Sequence, residues 1–160
     1  MNSKNKQKFK VIAIIALVGV LIGGGVVLYL FNMPHRDVQE TESDYTLKAT
    51  DIVKEYLSNP QIANDKYLDA EGESKILEVE GTISSITEDF NNQKVILLKP
   101  SDQEAGVSCT FTAETNQSVT NLIIGQKVTV KGVIRSGASY DEDLEMYENV
   151  IMEKCDIVTK

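Results

Sequence analysis

The side chains that most often carry out catalysis are scarce in this 160-residue sequence. His35 is the only histidine, and the two cysteines are Cys109 and Cys155. A nucleophilic serine or cysteine needs a base beside it, and a structural zinc site needs clustered cysteine and histidine ligands. There is also no glycine-rich phosphate-binding loop. We therefore predict no catalytic residue, no metal site, no cofactor and no enzymatic activity.

Each cysteine lies in a stretch of alternating apolar residues, the third and the fifth of five predicted strands. Two interpretations are open for Cys109 and Cys155. They form a disulfide that stabilises an exported domain, or they remain buried thiols that act as small apolar side chains.

Acidic residues cluster between the last two predicted strands. Carboxylates at alternating positions can bind Ca²⁺, but this cluster lacks the glycine and the D-x-D-x-D-G spacing of a calcium loop. We expect a solvated loop formed by Asp141, Glu142, Asp143, Glu145 and Glu148.

A set of basic residues could line one face of the predicted sheet and bind an anionic ligand. Against this, the region from Lys75 onward contains eight basic and fourteen acidic residues. Phosphate backbones are repelled by such a surface, which argues against nucleic acid as a partner. The candidate ligand face consists of Lys94, Lys99, Lys127, Lys131 and Arg135.

The N-terminus has the pattern of a membrane anchor. Four lysines lie within residues 1–10, and no charge interrupts Val11 to Phe31. As a helix this run would be about 30 Å long, the thickness of the hydrocarbon core of a bilayer. The positive-inside rule then predicts a cytoplasmic basic segment (1–10), a single transmembrane helix (11–31) and an extracytoplasmic C-terminal domain.

A cleaved signal peptide is the alternative, because Gly23 to Gly25 could supply a peptidase site. Both interpretations place the domain outside the cytoplasm. Gly19 and Gly23 also form a G-x-x-x-G pattern, through which an uncleaved helix could form a homodimer in the membrane.

The rest of the chain divides into a polar linker (32–43), a helical segment (44–72) and a β domain (73–160). The helical segment is expected to begin at Ser43 or Asp44 and to restart at Asn59, with Pro60 at the first helical position. We expect it to pack on the β domain and to bury Tyr56, Leu57 and Tyr67.

The period of the apolar residues changes to two after Lys75, which indicates strands. A one-residue slip near Ser84 predicts a bulge in the first strand. A short helix starting at Thr115 or Asn116 and stopped by Gly125 separates the third strand from the fourth. The other strands are predicted at Val95–Leu98, Val107–Phe111, Val128–Ile134 and Val150–Val158. Three strands, a helix and two more strands is the order of a five-stranded OB-fold barrel.

Several segments resemble the bacterial tRNA_anti-like OB-fold family. They are VEGTISSI (Val79–Ile86), VSCTF (Val107–Phe111), IIGQKVTVKG (Ile123–Gly132) and ENVIMEKCDIV (Glu148–Val158). The resemblance implies a mainly β protein with a membrane segment, a helical segment and one barrel. These motifs are core and turn positions, so they imply a fold and no activity.

Two functional expectations follow. The first is a non-enzymatic OB-fold binding module, anchored in the cell membrane and facing outward, whose partner is a protein or another envelope component. The alternative is an OB-fold domain that binds single-stranded nucleic acid, which would need a salt-sensitive basic face.

Overall fold

The computed structural model describes residue 16 and residues 18–28, 37–70 and 72–159. The chain forms two compact units, Met1–Arg36 and Asp37–Lys160. In the first, residues 18–28 are helical and their side chains are exposed. Among the described residues, no helix is both long and apolar enough to cross a membrane. The predicted basic segment, His35 and part of the predicted anchor (11–15, 17 and 29–31) lie outside the described residues.

The described residues of the second unit form two α-helices, one 3₁₀ turn and eight strands. The helices are α1 (Ala49–Ser58) and α2 (Pro60–Tyr67), and the 3₁₀ turn is Asn116–Val119. The strands are β1 (Tyr45–Lys48), β2 (Ile76–Glu88), β3 (Lys94–Leu98), β4 (Val107–Phe111), β5 (Lys127–Ser136), β6 (Ser139–Asp141), β7 (Met146–Glu148) and β8 (Val150–Ile157).

Five of these strands close into a barrel, as predicted. The strand order is β2-β3-β4-β8-β5, and β5 pairs again with β2. Closure is possible because the first half of β2 pairs with β5 and the second half pairs with β3. The register of β2 shifts between Ile83 and Ser85, which confirms the predicted bulge at the point where the strand changes partner.

The interior of the barrel is filled by the alternating apolar residues of each strand. Gly132 on β5 leaves room for the side chain of Cys155, since a Cβ atom at position 132 would lie only 2.6 Å from Sγ of Cys155. All the buried residues of the two hydrophobic clusters lie between Val38 and Cys155, inside the second unit. This unit therefore holds the whole described core, and we expect it to fold by itself.

The predicted helical segment (44–72) is correct for α1 and α2 but wrong at its start. Residues 45–48 form β1, which pairs in parallel with β2. Tyr45 and Leu47 pack against the core while Thr46 and Lys48 are exposed, and this alternation is the period of a strand.

The predicted start of the second helix is confirmed, since the side chain of Asn59 accepts a hydrogen bond from the Ile62 N–H at 3.2 Å. Tyr56 and Tyr67 are buried as predicted. Leu57, however, is 41% exposed, because it lies one position beyond the buried stripe of α1. That stripe consists of Ala49, Ile52, Val53 and Tyr56.

Two further elements differ from the predictions. The predicted helix after β4 is a single 3₁₀ turn, and Ile123, which follows it, is exposed. The chain then turns at Gly125, whose φ of 87° is in the left-handed region favoured by glycine. The acidic stretch expected to be a loop is partly ordered as a β6–β7 hairpin.

Candidate ligand-binding surfaces

Most of the predicted basic ligand face is already paired within the protein. Lys94 lies on β3, Lys99 follows that strand, and Lys127, Lys131 and Arg135 lie on β5. β3 and β5 are not neighbours in the barrel, so the set does not form one row. The pairs are Lys94 Nζ to Glu88 Oε2 (2.6 Å), Lys127 Nζ to Glu80 Oε1 (2.8 Å), Arg135 Nε to Glu153 Oε2 (2.9 Å) and Lys131 Nζ to the Gln39 carbonyl (2.9 Å).

These contacts limit what the basic residues can do. A carboxylate within 3 Å offsets the charge of its lysine or arginine, and an incoming phosphate would have to displace it. The exposed pairs contribute little to stability, about 0–1 kcal/mol each, but they lower the positive potential of the surface. The ligand face stays a prediction, and in the part of the chain that the structure describes only Lys99 of this set has a side chain without a hydrogen-bond or ion-pair partner.

The outer surface of β3 and β4 is small and neutral. Val95 lies opposite Thr110, and Leu97 lies opposite Ser108. All four are half-buried and point outward, because Ile96, Leu98, Val107 and Cys109 between them face the core. In many OB-folds the corresponding strands bind oligonucleotides or oligosaccharides. Here Val95, Leu97, Ser108 and Thr110 provide neither aromatic rings for stacking nor cations for phosphates.

The exposed aromatic rings lie in the β2–β3 turn and on the β6–β7 hairpin instead. Phe90, in the turn between β2 and β3, is fully exposed. Tyr140 and Tyr147 face each other across the β6–β7 hairpin, with ring centroids 4.8 Å apart. In the described part of the chain these three are the exposed aromatic residues.

The two cysteines lie on adjacent strands of the barrel, β4 and β8. Both are free thiols with no exposed surface. Burial, reinforced by the neighbouring Cys109 thiol, raises the pKa of Cys155 well above its usual value. A buried thiol with a raised pKa is a poor nucleophile, which argues against a catalytic thiol. The disulfide stays a prediction, since the two side chains are neighbours.

A charged cluster joins α1 to α2. The Glu55 carboxylate accepts hydrogen bonds from Lys66 Nζ (2.9 Å) and from the Tyr67 hydroxyl (2.9 Å), while Lys66 Nζ lies 5.3 Å from the centroid of the Tyr45 ring. Burial alone would raise the pKa of Glu55, but these hydrogen bonds hold it below its usual value. The pKa of Lys66 is raised, chiefly by Glu55. Both groups remain charged, so the cluster is suited to fixing the helices rather than to proton transfer.

Among the described residues, no group of three or more histidine, cysteine, aspartate or glutamate side chains could hold a metal ion. The acidic residues of the hairpin are spread along a turn. Asp141 Oδ1 accepts hydrogen bonds from the N–H groups of Asp143 and Leu144, which makes it a turn residue.

The closed barrel has five strands, with the helices α1 and α2 before its first strand (β2) and one 3₁₀ turn between its third (β4) and fourth (β5) along the chain. This arrangement defines an OB-fold domain. The chain belongs to the tRNA_anti-like family, whose sequence model matches residues 1–143. Among solved structures it is similar to a candidate nucleic acid-binding lipoprotein from Klebsiella pneumoniae subsp. pneumoniae. The two chains are 16% identical, with a TM-score of 0.52 over 79% of this chain and 100% of the other. At this identity the likeness shows the fold alone. No curated protein matches the chain.

Proposed function

We propose that this protein is a membrane-anchored OB-fold binding module outside the cytoplasm, without enzymatic activity, whose partner is a protein or another component of the cell envelope. The observation that carries the proposal is the pairing of its basic residues. Four of the five cations expected on a ligand face already have partners, and three of those partners are carboxylates.

The charge balance of the exported region supports the same conclusion. Four of the 16 lysines and arginines precede the apolar run, which leaves 12 against 24 acidic residues and a net charge of −12. Nucleic acids and anionic lipid headgroups are both repelled by such a surface. Proteins with basic or apolar surfaces are not repelled, so the negative charge of the domain favours them as partners.

The anchor is supported by the sequence and by exposed apolar side chains. No charge occurs between Val11 and Phe31, and the lysines on the N-terminal side favour an N-terminus in the cytoplasm. In the helical residues 18–28 large apolar side chains such as Val20 and Leu21 are 72% and 67% exposed, as expected of a surface that lipid would cover. The dimer through Gly19 and Gly23 stays a prediction.

A reporter fusion tests the location. Alkaline phosphatase folds only outside the reducing cytoplasm, where its disulfides can form. Fused after Lys160 in a bacterial host it should be active, and fused before Met1 it should be inactive. The opposite pattern would contradict the proposed orientation.

Photocrosslinking in cells tests the class of partner. A photoreactive amino acid at exposed positions should give products that protease removes and nuclease leaves unchanged. Nuclease-sensitive products would instead identify a nucleic acid as the partner.

Single-stranded nucleic-acid binding is the second candidate, and two observations favour it. The Klebsiella pneumoniae lipoprotein of the same fold is a candidate nucleic acid-binding protein. Phe90 is fully exposed and could stack on a base, a contact worth about 1–3 kcal/mol. Stacking on one ring would still need cations along the phosphate backbone, and those are largely paired here.

A further inference from the structure

The β6–β7 hairpin displays four large apolar side chains to solvent. Tyr140 is 48% exposed, Leu144 67%, Met146 53% and Tyr147 38%. Tyr140 and Tyr147 lie opposite each other and share one face of the hairpin, whereas Met146, opposite Asp141, lies on the other face. Scattered exposed apolar residues are common, but two exposed rings in contact on one face of a short element are typical of an interaction site. Tyrosine is also among the residues enriched in protein interfaces.

The hairpin is held in a fixed position by α1. Gly137, at its base, lies so close to the buried Tyr56 ring that a Cβ atom there would be 1.9 Å from Cδ1. Ala138, the next residue, is 2% exposed and belongs to the hydrophobic core. An isolated two-stranded hairpin is marginally stable, so this packing is what keeps the exposed side chains in place. A surface ordered in advance loses less entropy on binding.

Tyr147 also lines an open cleft of about 420 Å³. The other walls are α1 and the loop between β3 and β4. Leu57 lies at the rim, and the buried Val53 and Ala105 are part of the lining. Its size is within the range of about 300–1,000 Å³ typical of ligand pockets, so a large apolar side chain could enter between Leu57 and Tyr147.

The surroundings of this apolar surface are strongly negative. From Ser136 to Glu153 the sequence contains no lysine or arginine. Glu142, Asp143 and Glu145 are exposed, and no ion pair in the described ranges involves them. Only Lys54 adds a positive charge to the cleft, against Asp51 and Glu104.

We infer that Leu57, Tyr140, Leu144 and Tyr147, here called the hairpin–α1 surface, bind a cationic amphipathic segment of a partner protein. Apolar side chains of that segment enter the cleft and cover the tyrosines, while its lysines or arginines face the hairpin carboxylates. This inference rests on the proposed function and names the chemistry of the partner. Nucleic acids, anionic lipids and a second copy of this acidic domain would all be repelled by the same carboxylates.

A peptide titration tests the inference. The probe is a helical peptide labelled with fluorescein, with lysines on one face and leucines on the other. The domain Asp37–Lys160 is added to it, and binding is followed by the fluorescence anisotropy of the peptide. One control peptide has glutamate in place of lysine, and another has serine in place of leucine. Only the peptide with both lysine and leucine should bind well, and its affinity should fall as salt is added.

Matched variants localise the site. The triple change Glu142→Gln, Asp143→Asn and Glu145→Gln removes three exposed charges, each worth a factor of about two in affinity, so binding should weaken roughly eightfold. Removing three exposed acids elsewhere should change it by less than about twofold, since at physiological salt distant charges are screened. The double change Leu57→Ser and Tyr147→Ser should weaken binding by at least about tenfold, because a few buried contacts dominate binding energy. The control acids are Glu40, Glu42 and Glu73.

Circular dichroism and thermal melting show whether each variant is folded, so a loss of binding can be assigned to the surface. Equal weakening by the two triple variants would overturn the inference, because net charge alone would then explain the attraction. Equal binding of the control peptide with serine in place of leucine would also overturn the inference, because the apolar surface would then play no part in binding. Protein crosslinks in cells that map to another face would overturn this inference while leaving the proposed function intact. Nuclease-sensitive crosslinks would overturn both.

Discussion

Substituting Gly137 by alanine tests the contact that positions the hairpin. The added Cβ would lie 1.9 Å from both Cδ1 and Cε1 of Tyr56 and 2.6 Å from Cγ. Non-bonded carbon atoms prefer about 3.5–4.0 Å, so the ring or the hairpin must move by more than 1 Å. Tyr56 is 1% exposed and packed in the core, which leaves it little room.

The expected cost is about 3 kcal/mol, the upper end of the range for overpacked cores. For a domain of this size that corresponds to a fall in melting temperature of roughly 10 °C. The sign of the change in the free energy of unfolding is informative, because Gly137 is not among the glycines with positive φ. Alanine is therefore compatible with the backbone, and without the clash this change would stabilise the domain by about 0.4–1 kcal/mol.

Urea unfolding of the domain, with Tyr56→Leu in single and double variants, measures the effect. The smaller side chain should relieve the clash, so the double variant should be at least about 2 kcal/mol more stable than additive costs predict. Tyr56→Phe keeps the ring and should give no relief. Two results would refute the proposed contact between Gly137 and Tyr56. One is that the costs of Gly137→Ala and Tyr56→Leu simply add in the double variant, and the other is that the Gly137→Ala domain is as stable as the parent.

Three further predictions concern buried and charged groups. The Tyr56 hydroxyl is buried without a hydrogen-bond partner in the described structure, so Tyr56→Phe should raise the free energy of unfolding by about 1 kcal/mol, measured in urea. The pKa of Glu55 is lowered in the folded state, so its pair with Lys66 stabilises the domain above the unfolded pKa near 4.5, and this stability is lost as the pH falls through the folded pKa. Glu55→Gln should therefore lower the free energy of unfolding at pH 7 by about 0.5 kcal/mol, and the difference from the parent, measured in urea, should shrink as the pH is lowered below 4.5. A disulfide between Cys109 and Cys155 would leave no thiol to alkylate in unreduced, denatured protein, and modification of both would contradict it.

The barrel could be predicted because its strands carry regular local patterns. β4 occurs at the predicted residues, Val107–Phe111, since every second side chain there is buried. β1 was missed because it has only four residues, too few for a clear alternation, and the helix α1 begins directly after it at Ala49. The β6–β7 hairpin was missed because three acidic residues in a row indicate a loop, and its Tyr140–Tyr147 pair is visible only once the register is known.

The candidate surfaces were harder to predict because their charges depend on strand register. Lys94 and Glu88 are direct partners on β3 and β2, so the turn between them could have suggested that pair. Lys127 pairs with Glu80 only because β5 lies against the first half of β2, a contact between residues far apart in sequence. The cleft beside Tyr147 brings together α1, a loop and the hairpin, and no local pattern indicates it.

The most direct test of the proposed function is a titration of the domain Asp37–Lys160 with labelled single-stranded DNA and RNA, at low and at physiological salt. This fragment lacks the N-terminal lysines, which would attract any polyanion. Since its basic residues are largely paired and its net charge is negative, we predict no binding at either salt concentration. Micromolar or tighter binding that weakens steeply with salt would show an unpaired basic groove, and it would contradict the proposal that the partner is a protein or another envelope component.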